Sequence, residues 1–217
     1  FEKTIRLKLM KIFFDFDGTL IDVSERYYQI YCAAINTNSC LIPFEIYWNY
    51  KRERVAEEKI IQKHHPEINY NGYEKKRISL IEDPAFLKYD KLIHGARDML
   101  DNIKNIHDLY LVTLRNNSKS FHKQLNTLKI ESFFTNIENN SSNGKSWERK
   151  IKLIQHLYDR SSWIIGDTEA DVKAGQILGM RTCAVLSGIR NKDKLKELKP
   201  NYIISTVIEF PELLEKV

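Results

Sequence analysis

The sequence predicts an α/β fold, a Rossmann-like parallel sheet with helices on both faces plus an inserted helical unit. Three observations lead there. Short apolar runs rich in aromatic and β-branched residues alternate with helical patterns across residues 92–217. The first run of this kind, Lys11-Ile12-Phe13-Phe14, stops abruptly on Asp15-Phe16-Asp17-Gly18. Between the two, residues 22–91 read almost wholly as helix, with no convincing strand. The expected division is therefore a core of residues 1–21 and 92–217 and a helical domain of residues 22–91.

Each element has its own local justification. After the first strand, Ser24 or Asp22 can cap a helix whose apolar surface is Tyr27, Tyr28, Ile30, Tyr31, Ala34 and Ile35, and Asn36-Thr37-Asn38-Ser39 ends it. A strongly charged helix is expected over 43–65, broken by Pro66 and Asn69-Tyr70-Asn71-Gly72. Helix resumes over 73–81 and stops before Asp83-Pro84. His94-Gly95 opens a short amphipathic helix, 96–103, and Leu109-Tyr110-Leu111-Val112 is the second core strand, ending at Thr113. A helix from Asn116-Asn117-Ser118 to Leu128 precedes a third strand over 133–137, a polar loop over 139–144 and a helix over 147–158. Ser162-Trp163-Ile164-Ile165 is a fourth strand cut off by Gly166-Asp167, and a helix over 171–178 follows. The fifth strand is Thr182-Cys183-Ala184-Val185-Leu186 and the sixth, at an edge, Tyr202-Ile203-Ile204, with helix over 192–199 between them. A helix over 209–217, with Pro211 in its first turn, closes the chain.

Composition narrows the class of function. With 217 residues, 42% hydrophobic and 29% charged, the chain can bury a proper core. The net charge of +5 comes from interspersed signs, so Lys51-Arg52-Glu53-Arg54 and Glu74-Lys75-Lys76-Arg77 read as solvated helix faces, and nucleic acid is not the expected partner. Cys32, Cys40 and Cys183 have neither metal spacing nor an even count, which suits reduced thiols in the cytoplasm. No apolar run reaches the roughly 20 residues that cross a bilayer, so no membrane association is expected. The chain is expected to be a monomer or dimer.

The polar residues that matter fall at strand ends, where open parallel sheets place their sites. Asp15 and Asp17 follow the first strand and project to one side of an extended chain, with Phe16 pointing into the core. Two like charges this close need a cation or a shared proton. Thr113 ends the second strand, followed by backbone N–H groups of Leu114 and Arg115 that suit phosphate oxygens. Arg115 either adds a positive charge there or lies on the surface. Asp167 ends the fourth strand, and Asp171 opens the next helix, as a cap or as part of the same acidic set. Few carboxylates with room for water and phosphate suit Mg²⁺, whereas the scattered histidines do not suit zinc.

Asp15-Phe16-Asp17-Gly18-Thr19-Leu20 resembles the first motif of the haloacid dehalogenase superfamily. The Val112-Thr113 strand end resembles its second motif, and Gly166-Asp167-x-x-x-Asp171 with Ala174-Gly175 and Gly179-Met180 its fourth. The third motif, a lysine, has two candidates, of which Lys145 is preferred on loop length over Lys150. The resemblance implies a phosphoglycolate-phosphatase-like hydrolase with an α-helical cap of the first type. It makes Asp15 the nucleophile and Asp17 the acid and base. Mg²⁺ would be held by Asp15, the backbone carbonyl of Asp17 and Asp167, with Asp171 orienting ligands. Thr113 and the lysine would hold the phosphate, with Leu114 and Arg115 also binding substrate. The expected reaction is Mg²⁺-dependent hydrolysis of a small phosphorylated metabolite through an aspartyl-phosphate. Alternatives are a phosphomutase of the β-phosphoglucomutase type and a silent binding protein.

Overall fold

The computed structural model describes residues 9–35, 42–139 and 143–217. Its centre is β1 (Lys11–Phe14), buried on both faces. Ile12 and Phe14 join one apolar cluster and Phe13 the other, which is why the run is continuously apolar and does not alternate. A tight turn leads to β2 (Ile21–Asp22) and then to five helices: α1 (Ser24–Ile35), α2 (Phe44–Arg52), α3 (Glu57–His64), α4 (Tyr70–Leu80) and α5 (Pro84–Leu87). The chain returns through β3 (Lys91–Leu92), which pairs antiparallel with β2. After it come α6 (Ala96–Lys104), β4 (Asp108–Val112), α7 (Ser118–Leu128), β5 (Asn136–Glu138), α8 (Ser146–Ile154) and β6 (Trp163–Gly166). The rest is α9 (Glu169–Leu178), β7 (Arg181–Val185), α10 (Lys192–Glu197), β8 (Tyr202–Ile204) and α11 (Phe210–Glu215).

Six strands form one parallel sheet in the order β5-β4-β1-β6-β7-β8. One face is covered by α6 through Met99, Leu100 and Ile103, by α7 through Phe121 and Leu125, and by α11 through Phe210. The other is covered by α8 through Leu153 and Ile154 and by α9 through Ala174. The expected α/β class with helices on both faces is the one observed. The helices between β2 and β3 keep a separate core, in which Tyr31, Tyr47, Tyr73, Ile60 and Ile61 meet.

Several boundaries differ from expectation. The single helix expected over 43–65 is two, α2 and α3, because Arg54 takes a left-handed backbone (φ 62°) and the Val55 N–H donates back to the Tyr50 carbonyl at 2.9 Å. The third core strand shifts to 136–138, since Glu131–Phe133 closes a 3₁₀ turn. The helix expected over 147–158 stops at Ile154 and continues only as turns. The β2–β3 ribbon was not expected: two-residue strands leave no periodic pattern to read. The expected helix end at 36–39, and Cys40, lie outside the described residues.

Candidate active site

Asp15, Thr113 and Asp167 are each the first residue beyond a strand, β1, β4 and β6. Adjacent parallel strands in register therefore bring them to one edge of the sheet. The Asp15 N–H continues the ladder, donating to the Ile165 carbonyl at 2.8 Å. Phe16 turns into the core against Phe121. Gly18 then adopts φ +77°, and a side chain there would overlap Asp167.

Asp15, Asp167 and Asp171 are buried, and each offers an oxygen within 4.8 Å of the others. Lys150, buried in α8, lies 2.7 Å from Asp15 Oδ1 and donates to Asp171 Oδ1. Asp171 is fixed from the other side: its Oδ2 accepts from the Thr168 N–H at 3.1 Å and from the Thr168 hydroxyl at 2.9 Å. This is a capping box at the start of α9, so the capping and the site readings of Asp171 coexist. Asp167 Oδ2 accepts from the Ile189 N–H at 2.6 Å, while Oδ1 is buried with no hydrogen-bond partner among the described residues.

Burial and the neighbouring Asp171 charge push the Asp15 carboxyl up to about 7, against the pull of Lys150. Burial and the Asp15 charge push Asp167 well above the ordinary carboxylate range. Burial opposes the Lys150 ammonium, but Asp15 and Asp171 outweigh it and hold its pKa above the usual lysine value. Three carboxylates facing one ammonium leave negative charge unbalanced, and the unpartnered Asp167 Oδ1 is a free donor atom. An all-oxygen, carboxylate-rich set of this kind fits a hard divalent cation.

The Asp17 carboxylate is not part of that set. Its Oδ1 accepts from Arg26 Nη2 at 2.6 Å and Arg115 Nη2 at 2.7 Å, and its Oδ2 from Arg115 Nε at 2.6 Å. Burial works against the charge, but the two guanidinium groups outweigh it and hold Asp17 well below the ordinary range. Arg115 is therefore buried in an ion-pair network and is not a surface residue. Thr113 is buried at the end of β4, its N–H donating to the Glu138 carbonyl at 3.0 Å, and Leu114 packs on the α8 side of the sheet.

The lysine at the carboxylates is Lys150. The preference for Lys145 is corrected: Lys145 precedes the first turn of α8, exposed, its ammonium 5.8 Å from the centroid of the Trp147 ring. Lys150 shares the buried face of α8 with Leu153 and Ile154, so the helix carries it inward. A charge on an apolar stripe was the available signal, and the same signal marks Arg26, on the face of α1 with Ile30 and Ala34. Sequence reasoning missed Arg26, and with it Asp90, which lies 3.1 Å from Arg26 Nε and 3.3 Å from Arg115 Nη2. It also missed the contacts that join the helical unit to the loops of the sheet. Arg52 donates to the Leu186 carbonyl at 3.0 Å, Arg54 pairs with Glu169, Arg190 Nη1 donates to the Lys51 carbonyl at 3.2 Å, and Glu82 accepts from the N–H groups of Asn116 and Asn117.

The model of the haloacid dehalogenase-like hydrolase family matches residues 12–185. Pyrophosphatase PpaX of Halalkalibacterium halodurans is 22% identical over 227 aligned positions, covering 97% of this chain and 98% of the relative. A solved structure described as a predicted phosphatase from Clostridium acetobutylicum superposes with a TM-score of 0.74 at 18% identity, covering 96% and 99% of the two chains. A predicted phosphoglycolate phosphatase from Haemophilus somnus gives 0.71 at 14% identity, covering 97% and 99%. At these identities the two structures speak for the fold. Among the described residues, no helix is long and apolar enough to cross a membrane.

Proposed function

Since the chain belongs to the haloacid dehalogenase-like hydrolase family, we propose that it is a Mg²⁺-dependent phosphatase acting on a small phosphorylated metabolite through an aspartyl-phosphate on Asp15. One observation carries the reading: Asp15 is buried at the carboxyl end of the central strand, paired with Lys150 at 2.7 Å, beside the unpartnered oxygen of Asp167. The named activity of the curated relative, a pyrophosphatase, supports the reaction class.

In this mechanism an Asp15 carboxylate oxygen attacks phosphorus in line, and the bond from phosphorus to the leaving oxygen breaks. Asp17 gives that oxygen a proton, then takes one from the water that attacks the aspartyl-phosphate and frees Asp15. Paired with Arg26 and Arg115 it is ionised, so it must first turn away from them, take up a proton from solvent and then face the leaving oxygen. Lys150 and the Thr113 hydroxyl hold the non-bridging oxygens, with the N–H groups of Leu114 and Arg115 beside them. Asp15, Asp167 and the Asp17 carbonyl would hold Mg²⁺, with Asp171 fixing Lys150 and the start of α9. When bound, the ion supplies charge stabilisation for the phosphoryl group. Helices α1 to α5 serve as a cap that closes over the site and excludes bulk water while the phosphoryl group leaves the substrate, and that admits the hydrolytic water once the leaving group has gone. Its division from the core falls at the β2–β3 ribbon.

The test is phosphate release from an aryl phosphate with and without Mg²⁺, by wild type and Asp15→Asn. Release that needs the metal and vanishes in Asp15→Asn supports the reading. Equal release by both proteins overturns it.

A further inference from the structure

We propose that Arg26 and Arg115 form a subsite for a second anionic group on the leaving portion of the substrate, for which the Asp17 carboxylate stands in. The inference rests on the phosphatase reading above and narrows its substrate class to phosphate esters that carry a carboxylate or a further phosphate.

The Arg26 and Arg115 side chains are 1% and 5% exposed, whereas Asp17, which pairs with both, is 22% exposed and is the solvent-reached member of the group. Asp17 takes three bonds of 2.6–2.7 Å from the two guanidinium groups. The other carboxylate against both is Asp90, itself buried, and it is shared further with Gln124 Nε2 at 2.7 Å. Once Asp17 engages the reacting oxygen, two buried guanidinium groups face one carboxylate. One positive charge is then left without a partner, and Arg26 Nη2 and Arg115 Nε lose their carboxylate while Arg115 Nη2 keeps Asp90 at 3.3 Å, in a place where an unpaired charge is costly. Arg115 Nη1 has no hydrogen-bond partner even now among the described residues. A carboxylate or phosphate on the leaving group restores the balance, and a guanidinium fork matches either in paired geometry. A neutral leaving group leaves the charge stranded. Arg26 comes from the helical unit and Arg115 from the loop after β4, so such an anion also ties the two parts together.

The test compares three probes with Mg²⁺ present: the phosphate ester of a short hydroxy acid, the same ester with its carboxylate converted to the carboxamide, and a short diol bisphosphate. The expected kcat/KM for the charged probes is about 100-fold or more above that for the carboxamide, and which charged probe leads identifies the anion. In Arg115→Gln and Arg26→Gln that ratio should fall to about tenfold or less, a change that a purely structural role would not produce. Circular dichroism reports whether each variant folds. If Arg115→Gln does not, Arg115→Lys keeps the charge but loses the paired bonds, and should give an intermediate ratio. Metal-dependent hydrolysis of all three probes at similar kcat/KM overturns the subsite and leaves the phosphatase reading standing. A wild-type preference that survives in the folded variants also overturns it. Hydrolysis of an aryl phosphate but of none of the three probes overturns the subsite, and hydrolysis of no phosphate ester at all means the phosphatase reading has failed and takes the subsite with it.

Discussion

Replacing Lys150 by methionine isolates the part played by its ammonium. The substitution keeps the volume and removes the only cation paired with Asp15 and Asp171 among the described ion pairs. Breaking a buried pair by removing one partner costs about 3–5 kcal/mol, because the remaining charge is stranded. For a chain of this size each kcal/mol moves Tm by roughly 2–4 °C, so metal-free Lys150→Met should melt roughly 6–20 °C below wild type. Mg²⁺ should recover part of that loss, since binding to the native state stabilises it by mass action. Phosphate release should fall about 10²–10³-fold, the usual loss of one preorganised charge donor. Lys145→Met is the control: an exposed substitution of this kind should shift Tm by less than about 2 °C and leave turnover within about threefold. The assay is thermal unfolding by circular dichroism in EDTA and in Mg²⁺, with phosphate release alongside. A small Tm shift for Lys150→Met, or a larger loss of activity for Lys145→Met, would refute the assignment.

Two further perturbations probe other parts of the structure. A Cβ at Gly188 would overlap the Asp167 carboxylate, so Gly188→Ala should retain the fold but weaken Mg²⁺ binding at least about tenfold by calorimetry, and unchanged affinity would contradict the role given to Asp167. In the helical unit, Glu57 accepts from Tyr47 at 2.9 Å, Tyr73 at 3.0 Å and Lys51 at 2.5 Å. Burial disfavours its charge, but Lys51 and the Tyr47 hydroxyl outweigh that and hold its pKa below the usual glutamate value. A depressed folded value means the stabilisation is full above the unfolded value and disappears as pH falls through the folded one. Glu57→Gln should therefore cost roughly 3 kcal/mol near neutral pH, with the gap to wild type closing below about pH 4 in acid titrations of stability. A gap that stays constant with pH would contradict the ion pair.

What the sequence made legible follows from the range of the forces involved. The strand 11–14 and its abrupt end at Asp15 are local: a continuous apolar run needs burial on both sides, and two carboxylates stop it. The alternation of strands and helices then brings Asp15, Thr113 and Asp167 to one edge without further information. Arg54 is different. Its positive φ accompanies a pairing with Glu169 across the chain, and no local propensity reports it. For the lysine, loop length points to Lys145 and helix face to Lys150, which stands on the same stripe as Leu153 and Ile154 and is the one the fold carries inward. Arg26 is legible only from its place on the apolar face of α1, and Asp90 is not legible, because a carboxylate before a two-residue strand carries no pattern of its own.

The central claim is that Asp15 carries the phosphoryl group between substrate and water. It is tested most directly in Asp17→Asn, which should slow release of the intermediate, by acid-quenching a single turnover and locating covalent phosphate by mass spectrometry. The account predicts one phosphate on the peptide that contains Asp15, absent when Asp15→Asn is added. Turnover of the ester with no phosphopeptide, or with phosphate on another residue, would contradict it.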